Sequence, residues 1–249
     1  MPFLDMSRTS PGRIYALSGE WILPDSQGVA PFQTGGDVKD AVKQLSTTIW
    51  ITAGARYNAA RRLRLRDTFS TASLAMFSAA TIGLAVIQKV YFISDSAADK
   101  YSTVLGVTLG AFLLAISLLE AGKGNALSAD ALHRNAEDLT SLTKRIDVRI
   151  AAHDAGQLIT AADLADLIME YDQIKARCAT NHLPIDYRHF LGEKRAAPEL
   201  AERFGNSPAT DIQAARYRIQ WFLSGVWYFL LLWIAIIALG LENWLLYRG

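Results

Sequence analysis

The sequence predicts an all-α membrane protein: a transmembrane helical hairpin, a cytosolic helical bundle and a third, C-terminal transmembrane helix, preceded by a short irregular or β-hairpin N-terminal arm. Three observations predict it. First, three long runs carry no charge: Thr68 to Gln88 is 21 residues, Tyr101 to Leu119 is 19 and Ile219 to Leu241 is 23. Second, apolar residues before and between these runs recur at helical spacing. Third, the chain is 51% hydrophobic and only 20% charged over 249 residues, and its 25 basic against 24 acidic groups leave a formal net charge of +1. That balance excludes a charge-rich disordered chain and a basic protein held on nucleic acid by counterion release. No sequence-specific nucleic acid is expected as a partner. The single cysteine, Cys178, excludes an internal disulfide and any zinc site that needs two thiolates.

Residues 1–36 form the arm, where four prolines and five glycines make up a quarter of the sequence. Ile14 to Leu17 and Trp21 to Leu23 around Ser18-Gly19 suit a small hairpin or an ordered arm. From Asp37 onward, Val38, Val42, Leu45, Ile49, Thr52, Ala59 and Leu63 make an apolar stripe. It predicts one long helix that enters the first span, residues 68–90. The second span covers residues 101–119. Each charge-free run is long enough to cross about 30 Å of hydrocarbon at about 1.5 Å per residue. The first begins far from Met1, so no signal peptide is expected.

Within the spans, Thr71, Ser78, Thr81 and Gln88 fall in an arc of about 100°, interrupted by Leu74 and Ala85. This is the candidate pore face, although hydroxyls bonding to their own helix would account for it equally. Small residues four apart at Ala75, Ala79 and Gly83, and the GxxxG of Gly106 and Gly110, are candidate packing faces. They suit either a tight hairpin or contact between copies. No charge lies in any run, which argues against a proton-coupled pump, an ion-coupled carrier or a voltage sensor.

After the second span, Leu132, Asn135, Leu139, Leu142 and Ile146 keep an a/d register. Thr160 with Asp163 makes a capping box, after which Leu164, Leu167, Ile168, Tyr171 and Ile174 recur at helical spacing. Pro184, Pro198 and Pro208 break the stretch before the third span into short pieces. This divides the chain into a core at 37–152, a cytosolic helical segment at 153–215 and a third span at 216–249.

Basic residues orient the chain. Arg56, Arg61, Arg62, Arg64, Arg66, Lys123, Arg134, Arg216 and Arg218 lie at one set of span ends, against Lys89, Lys100 and Arg248 at the other. The positive-inside rule puts the N-terminus and the middle segment in the cytoplasm. Tyr91, Tyr101, Trp221, Trp244 and Tyr247 are expected at the interfaces. The cluster Arg56, Arg61, Arg62, Arg64 and Arg66 reads as a topology signal and an anchor to anionic lipid. A nucleotide-binding role has only Tyr57 to stack on.

Phosphate-loop, dinucleotide, zincin and nucleophile-elbow motifs are missing, and Gly122-Lys123-Gly124 only imitates the first. Cys178 and His182 would meet as a thiolate pair if one helix carried both; otherwise Cys178 is a structural thiol. Asp163, Asp166 and Glu170 read as a solvated face. No catalytic residue, metal or cofactor is expected.

The stretch Trp50-Ile-Thr-Ala-Gly-Ala-Arg56-Tyr57-Asn58-Ala-Ala-Arg61-Arg62-Leu63, leading into the small-residue run Thr71 to Ile87, resembles the start of SLATT domains, the two-transmembrane effectors of bacterial nucleotide-signalling systems. Ser117-Leu-Leu-Glu120 and Ala131-Leu-His133-Arg-Asn135-Ala-Glu137-Asp-Leu139-Thr-Ser-Leu142 continue the likeness, and Asp186-Tyr187-Arg188-His189-Phe190 is similar to the branch found beside reverse transcriptases. The resemblance covers residues 37–190 and leaves out the arm and the third span. It implies an abortive-infection antiviral effector in the bacterial inner membrane, a homo-oligomer that permeabilises the lipid bilayer when a nearby reverse transcriptase or nucleotide-signalling sensor activates it. The alternative is a non-conducting scaffold that docks a cytosolic partner.

Overall fold

The structure, a computed structural model, describes residues 38–248, without the side chains of residues 235, 239, 240 and 242–248. The chain divides into two units, Met1–Asp37 and Val38–Gly249. The hairpin expected around Ser18-Gly19 lies outside the described residues, as do the side chains of Trp244 and Tyr247.

Among the described residues the chain forms seven helices and no strand: α1 Val38–Tyr91, α2 Ala97–Gly122, α3 Asn125–Asp154, α4 Ala161–Ala176, α5 Pro184–Glu193, α6 Pro198–Phe204 and α7 Asp211–Arg248. The all-α expectation holds. Helix α1 is unbroken over 54 residues, about 80 Å at 1.5 Å per residue. Its second half is apolar; its first half is the spine of a bundle in which α3, α4, α5, α6 and α7 all touch it. α1, α2 and α7 each contain a stretch long and apolar enough to cross a membrane.

The two sequence stripes build the core. Val42, Ile49 and Ala53 of α1 interlock with Leu139, Leu142 and Ile146 of α3, and Leu167 and Ile174 of α4 close the cluster. Five of these side chains, Val42, Ile49, Leu139, Leu142 and Ile146, are completely buried, and burying an aliphatic side chain of this size stabilises by about 1.5–3 kcal/mol. The expected capping box starts α4: the Asp163 amide donates to Thr160 Oγ1 at 3.2 Å, and the Thr160 amide donates to Asp163 Oδ2 at 3.0 Å. Pro184 and Pro198 occupy the first turns of α5 and α6, where a missing amide hydrogen costs nothing. Gly124 turns the chain from α2 into α3 with φ 58°, a conformation that glycine adopts without Cβ strain.

Candidate functional site

Four segments far apart in sequence converge on α1 just before its apolar half. The first contact depends on a missing side chain. A Cβ on Gly54 would lie 2.0 Å from Phe190 Cε2, so the α5 ring reaches α1 only because residue 54 is glycine. Trp50 meets the same ring edge-on at 4.9 Å. Beside them, buried Arg56 donates through Nη1 to Asn135 Oδ1 of α3, and Asn135 Nδ2 donates to the Ile174 carbonyl of α4 at 2.6 Å. Burial pushes the Arg56 guanidinium below its usual range, with Cys178 and Tyr171 opposing the shift.

The second contact is a buried ion pair. Arg62 Nε and Nη2 donate to Asp186 Oδ1 and Oδ2 at 2.8 and 3.0 Å, a bidentate geometry, and Asp186 has no exposed surface. The same carboxylate accepts from Trp221 Nε1 of α7 at 3.1 Å and from the Leu183 amide at 2.9 Å. Asp186 thus caps α5 and joins it to α1 and α7 at once. His189 stacks on Trp221 at 4.6 Å. Burial lowers its pKa; Glu193 and Asp186 oppose that shift, and Arg61 and Arg218 reinforce it.

The third contact holds α2. Arg66 Nη2 donates to Glu120 Oε1 at 3.1 Å, and Lys123 donates to the same oxygen. Burial disfavours the charge on Glu120, but the hydrogen bonds from Arg66 and Lys123 outweigh it and hold the carboxyl below its ordinary range. Arg64 pairs with Asp130 at 2.9 Å on the surface.

The arginine cluster read as a lipid anchor is therefore largely spent inside the protein. Arg56 and Arg62 are buried, Arg64 and Arg66 are paired with acids of other helices, and Arg61 is the exposed member outside these ion pairs. Trp221, expected at a membrane interface, is instead buried against α5. At about 100° per residue Arg56 falls on the stripe of Val38 to Leu63 and Arg61 nearly opposite it, as their burial and exposure require, but Arg62 and Arg64 flank the stripe on either side, where periodicity does not separate inward from outward.

Of the candidate pore face, Thr71 and Ser78 are exposed while Thr81 and Gln88 are half-buried. Ser78 and Thr81 each donate to their own helix, to the Leu74 and Phe77 carbonyls at 2.8 Å. Gln88 Nε2 turns to α2, donating to Asp99 Oδ1 and Thr103 Oγ1, each at 2.7 Å. The small-residue faces do not pack the hairpin. A Cβ on Gly83, Gly106 or Gly110 would meet nothing within 4 Å, and Ala75 and Ala79 are exposed. The α2 face that is buried instead runs through Ser102, Ile116 and Glu120.

The proposed thiolate pair does not assemble on a helix. α4 ends at Ala176, before Cys178, whose Sγ donates to the Thr180 carbonyl at 3.1 Å and packs beside Ala59, Ala60 and Leu132. Asp163 and Glu170 are engaged by Arg149 and Arg145 of α3.

Residues 38–242 match the family described as SMODS and SLOG-associating 2TM effector domain family 5. The chain belongs to this family. No curated protein and no solved structure matches it. The SLATT match extends past residue 190, where the sequence resemblance stopped, and takes in most of α7. The structure accounts for that reach, because α7 is joined to the SLATT core through Trp221 and Asp186. The four stretches that carried the resemblance are the ones that meet here: Trp50 to Leu63 with Phe190 and Asp186, Arg56 with Asn135, and the end of α2 with Arg66. Gly54, Asp186 and Trp221 were not singled out from sequence as site residues. A glycine inside a strong helix pattern and an aspartate two residues after a helix-starting proline were the available signals.

Proposed function

We propose that this chain is a bacterial antiviral effector of the abortive-infection type. It sits in the inner membrane with its N-terminus and helical bundle in the cytoplasm, oligomerises, and permeabilises the bilayer when an associated sensor activates it. It catalyses no reaction. A reverse transcriptase or nucleotide-signalling enzyme encoded nearby is the sensor that this reading expects, and the family's description, which ties the domain to SMODS and SLOG, supports a partner of that kind.

The observation that carries the proposal is the continuity of α1. One unbroken helix is gripped by the bundle through Arg56 and Arg62 and then runs into its apolar half. A displacement of α3, α4 or α5 by a sensor therefore moves a membrane helix without an intervening loop, as coupling through a rigid element requires. The open faces at Gly106, Gly110 and Ala79 leave room for other copies to approach.

The second reading is a non-conducting scaffold, favoured because the Ser78 and Thr81 hydroxyls are satisfied by their own helix and need no water. Ion flux from liposomes holding the purified protein and its activated sensor separates the two: the effector leaks, and the scaffold stays sealed. In cells, protection against phage with an unchanged membrane potential would rule out permeabilisation.

A further inference from the structure

Asp186 gathers α1, α5 and α7, and one turn away from it stands a buried histidine without a bonding partner. Helices α5 and α7 run antiparallel across this junction: Asp186 meets Trp221 at 3.1 Å, and a Cβ on Gly192 would lie 3.1 Å from Ala214 Cα and 3.5 Å from Tyr217 Cδ2. Midway between those two contacts lie His189 on α5 and Arg218 on α7. His189 is 8% exposed and stacks on Trp221 at 4.6 Å with 22° between the rings. Neither of its ring nitrogens has a hydrogen-bond partner among the described residues, and neither is sealed from the surface. A polar group so placed is costly unless something satisfies it.

The charges around this ring are unbalanced. Arg61, next to Arg62 on α1, and Arg218 are exposed, and after burial and Glu193 they are the groups that act on His189 most. Neither arginine belongs to an ion pair or a hydrogen bond among the described residues. The two carboxylates nearby leave them so. Asp186 is committed to Arg62, Trp221 and the Leu183 amide. Glu193 is exposed and makes no ion pair among the described residues. Two cations therefore stand against one uncommitted anion beside an unsatisfied ring.

We propose that Arg61, His189 and Arg218 form a binding site for the phosphate group of a water-soluble small molecule. A guanidinium presents paired N–H donors that match phosphate oxygens, and a neutral imidazole adds one more donor. The oxygens of a phosphate point in enough directions to accept from α1, α5 and α7 at once. Water is the side from which the ligand comes. Arg64, Arg66 and Asp67 separate Arg61 from the charge-free run that starts at Thr68, seven residues further along α1. That is about 10 Å at 1.5 Å per residue, beyond a headgroup layer of about 5 to 7 Å. The site goes beyond the effector reading and does not depend on conduction: its occupant ties α5 and α7 to α1 where the bundle grips that helix.

The test titrates pyrophosphate into the full chain held in phosphatidylcholine nanodiscs and reads binding by calorimetry. Pyrophosphate should bind with a Kd of about 1 mM or tighter. R61Q combined with R218Q should weaken it by about tenfold or more, because each change removes a charge-assisted hydrogen bond. H189F, which keeps the stack on Trp221, should weaken it by about threefold, and E193Q should tighten it. R188Q combined with R216Q takes two charges from exposed positions of α5 and α7 that do not act on His189, and should leave the affinity within about twofold. Absence of binding at about 10 mM pyrophosphate overturns the proposal. An equal loss in R188Q with R216Q overturns it too, since it would mark a diffuse charge effect. Phosphatidylglycerol added to the nanodiscs should change the affinity by no more than about twofold; displacement of pyrophosphate by that lipid through Arg61 and Arg218 would make the phosphate a headgroup's and overturn the soluble assignment. Leakage and protection play no part in these readouts, so their failure leaves the effector reading standing.

Discussion

The two halves of α1 differ sharply in what surrounds them, though they are one helix. Eleven of its fourteen buried residues, from Val42 to Arg62, lie before the apolar run, and only Ser70, Ser73 and Phe77 lie inside it. In the first half the buried faces meet α3, α4, α5, α6 and α7, and Asp40, Gln44 and Arg61 mark the side left to water. In the second, one strip contacts α7 and α2 while Met76, Ile82, Val86 and Val90 stand half exposed or more. Water defines the first half by expelling its apolar side chains into a core. Lipid gives no such drive between helices, because tails are as apolar as leucine. One helix therefore carries a finished bundle at one end and an unfinished membrane surface at the other.

Breaking the finished half should cost most at Asp186. Asp186→Ala leaves Arg62 buried without a counter-charge and frees Trp221, at a cost of about 3–5 kcal/mol. Thermal unfolding in detergent reads the loss, and hydrogen exchange should show α5 and the start of α7 losing protection together. If α7 stays protected while α5 opens, the carboxylate does not join them. Leu139→Ala, in the core that α3 shares with α1, should cost about 2–5 kcal/mol, depending on how far the site collapses. The same truncation at Ile82, which is 66% exposed, should change stability far less in the isolated protein.

Gly54 sharpens the contrast from the opposite direction. Adding a side chain there drives Cβ into the Phe190 ring, so Gly54→Ala should destabilise by about 1–3 kcal/mol. Phe190→Ala in the same chain should recover part of that loss. Additive losses would show that the two residues are not in contact in solution.

Acid should loosen the bundle before the spans. The His189 pKa is lowered by burial, so the folded chain prefers the neutral ring. Its contribution is complete above the usual histidine range and disappears as pH falls through the lowered value. Glu120 behaves alike at lower pH, because Arg66 and Lys123 hold its carboxyl below the ordinary range. Stability should therefore decline on acidification, and His189→Phe, which keeps the stacking on Trp221, should flatten the upper part of that decline.

Legibility in the sequence divides along the same line. The bundle stripes were legible because Val42, Ile49, Leu139 and Ile146 repeat at the helical period and water enforces that period. The capping box at Thr160 was legible because its chemistry is local. The arginines of α1 were not, since a charge count near a span predicts topology but does not reveal that Arg62 meets an aspartate 124 residues away. Trp221 misled for a related reason: an indole beside an apolar run suits an interface and a buried carboxylate equally well.

The smallest effect on the isolated chain is the most informative about the unfinished half. Gly106→Leu and Gly110→Leu place side chains where a Cβ meets nothing within 4 Å, so unfolding of the monomer in detergent should change by no more than about 0.5 kcal/mol, as for open surface positions. If copies assemble through this face, leucine there keeps the backbones apart, and the double variant should lose cross-linked oligomers and liposome leakage together while remaining folded. Destabilisation of the monomer would instead place both glycines in an internal contact, and full leakage by a folded variant would move the assembly face elsewhere. Either result is decisive because, among the described residues, the bundle's core and its arginine contacts give these two positions no support.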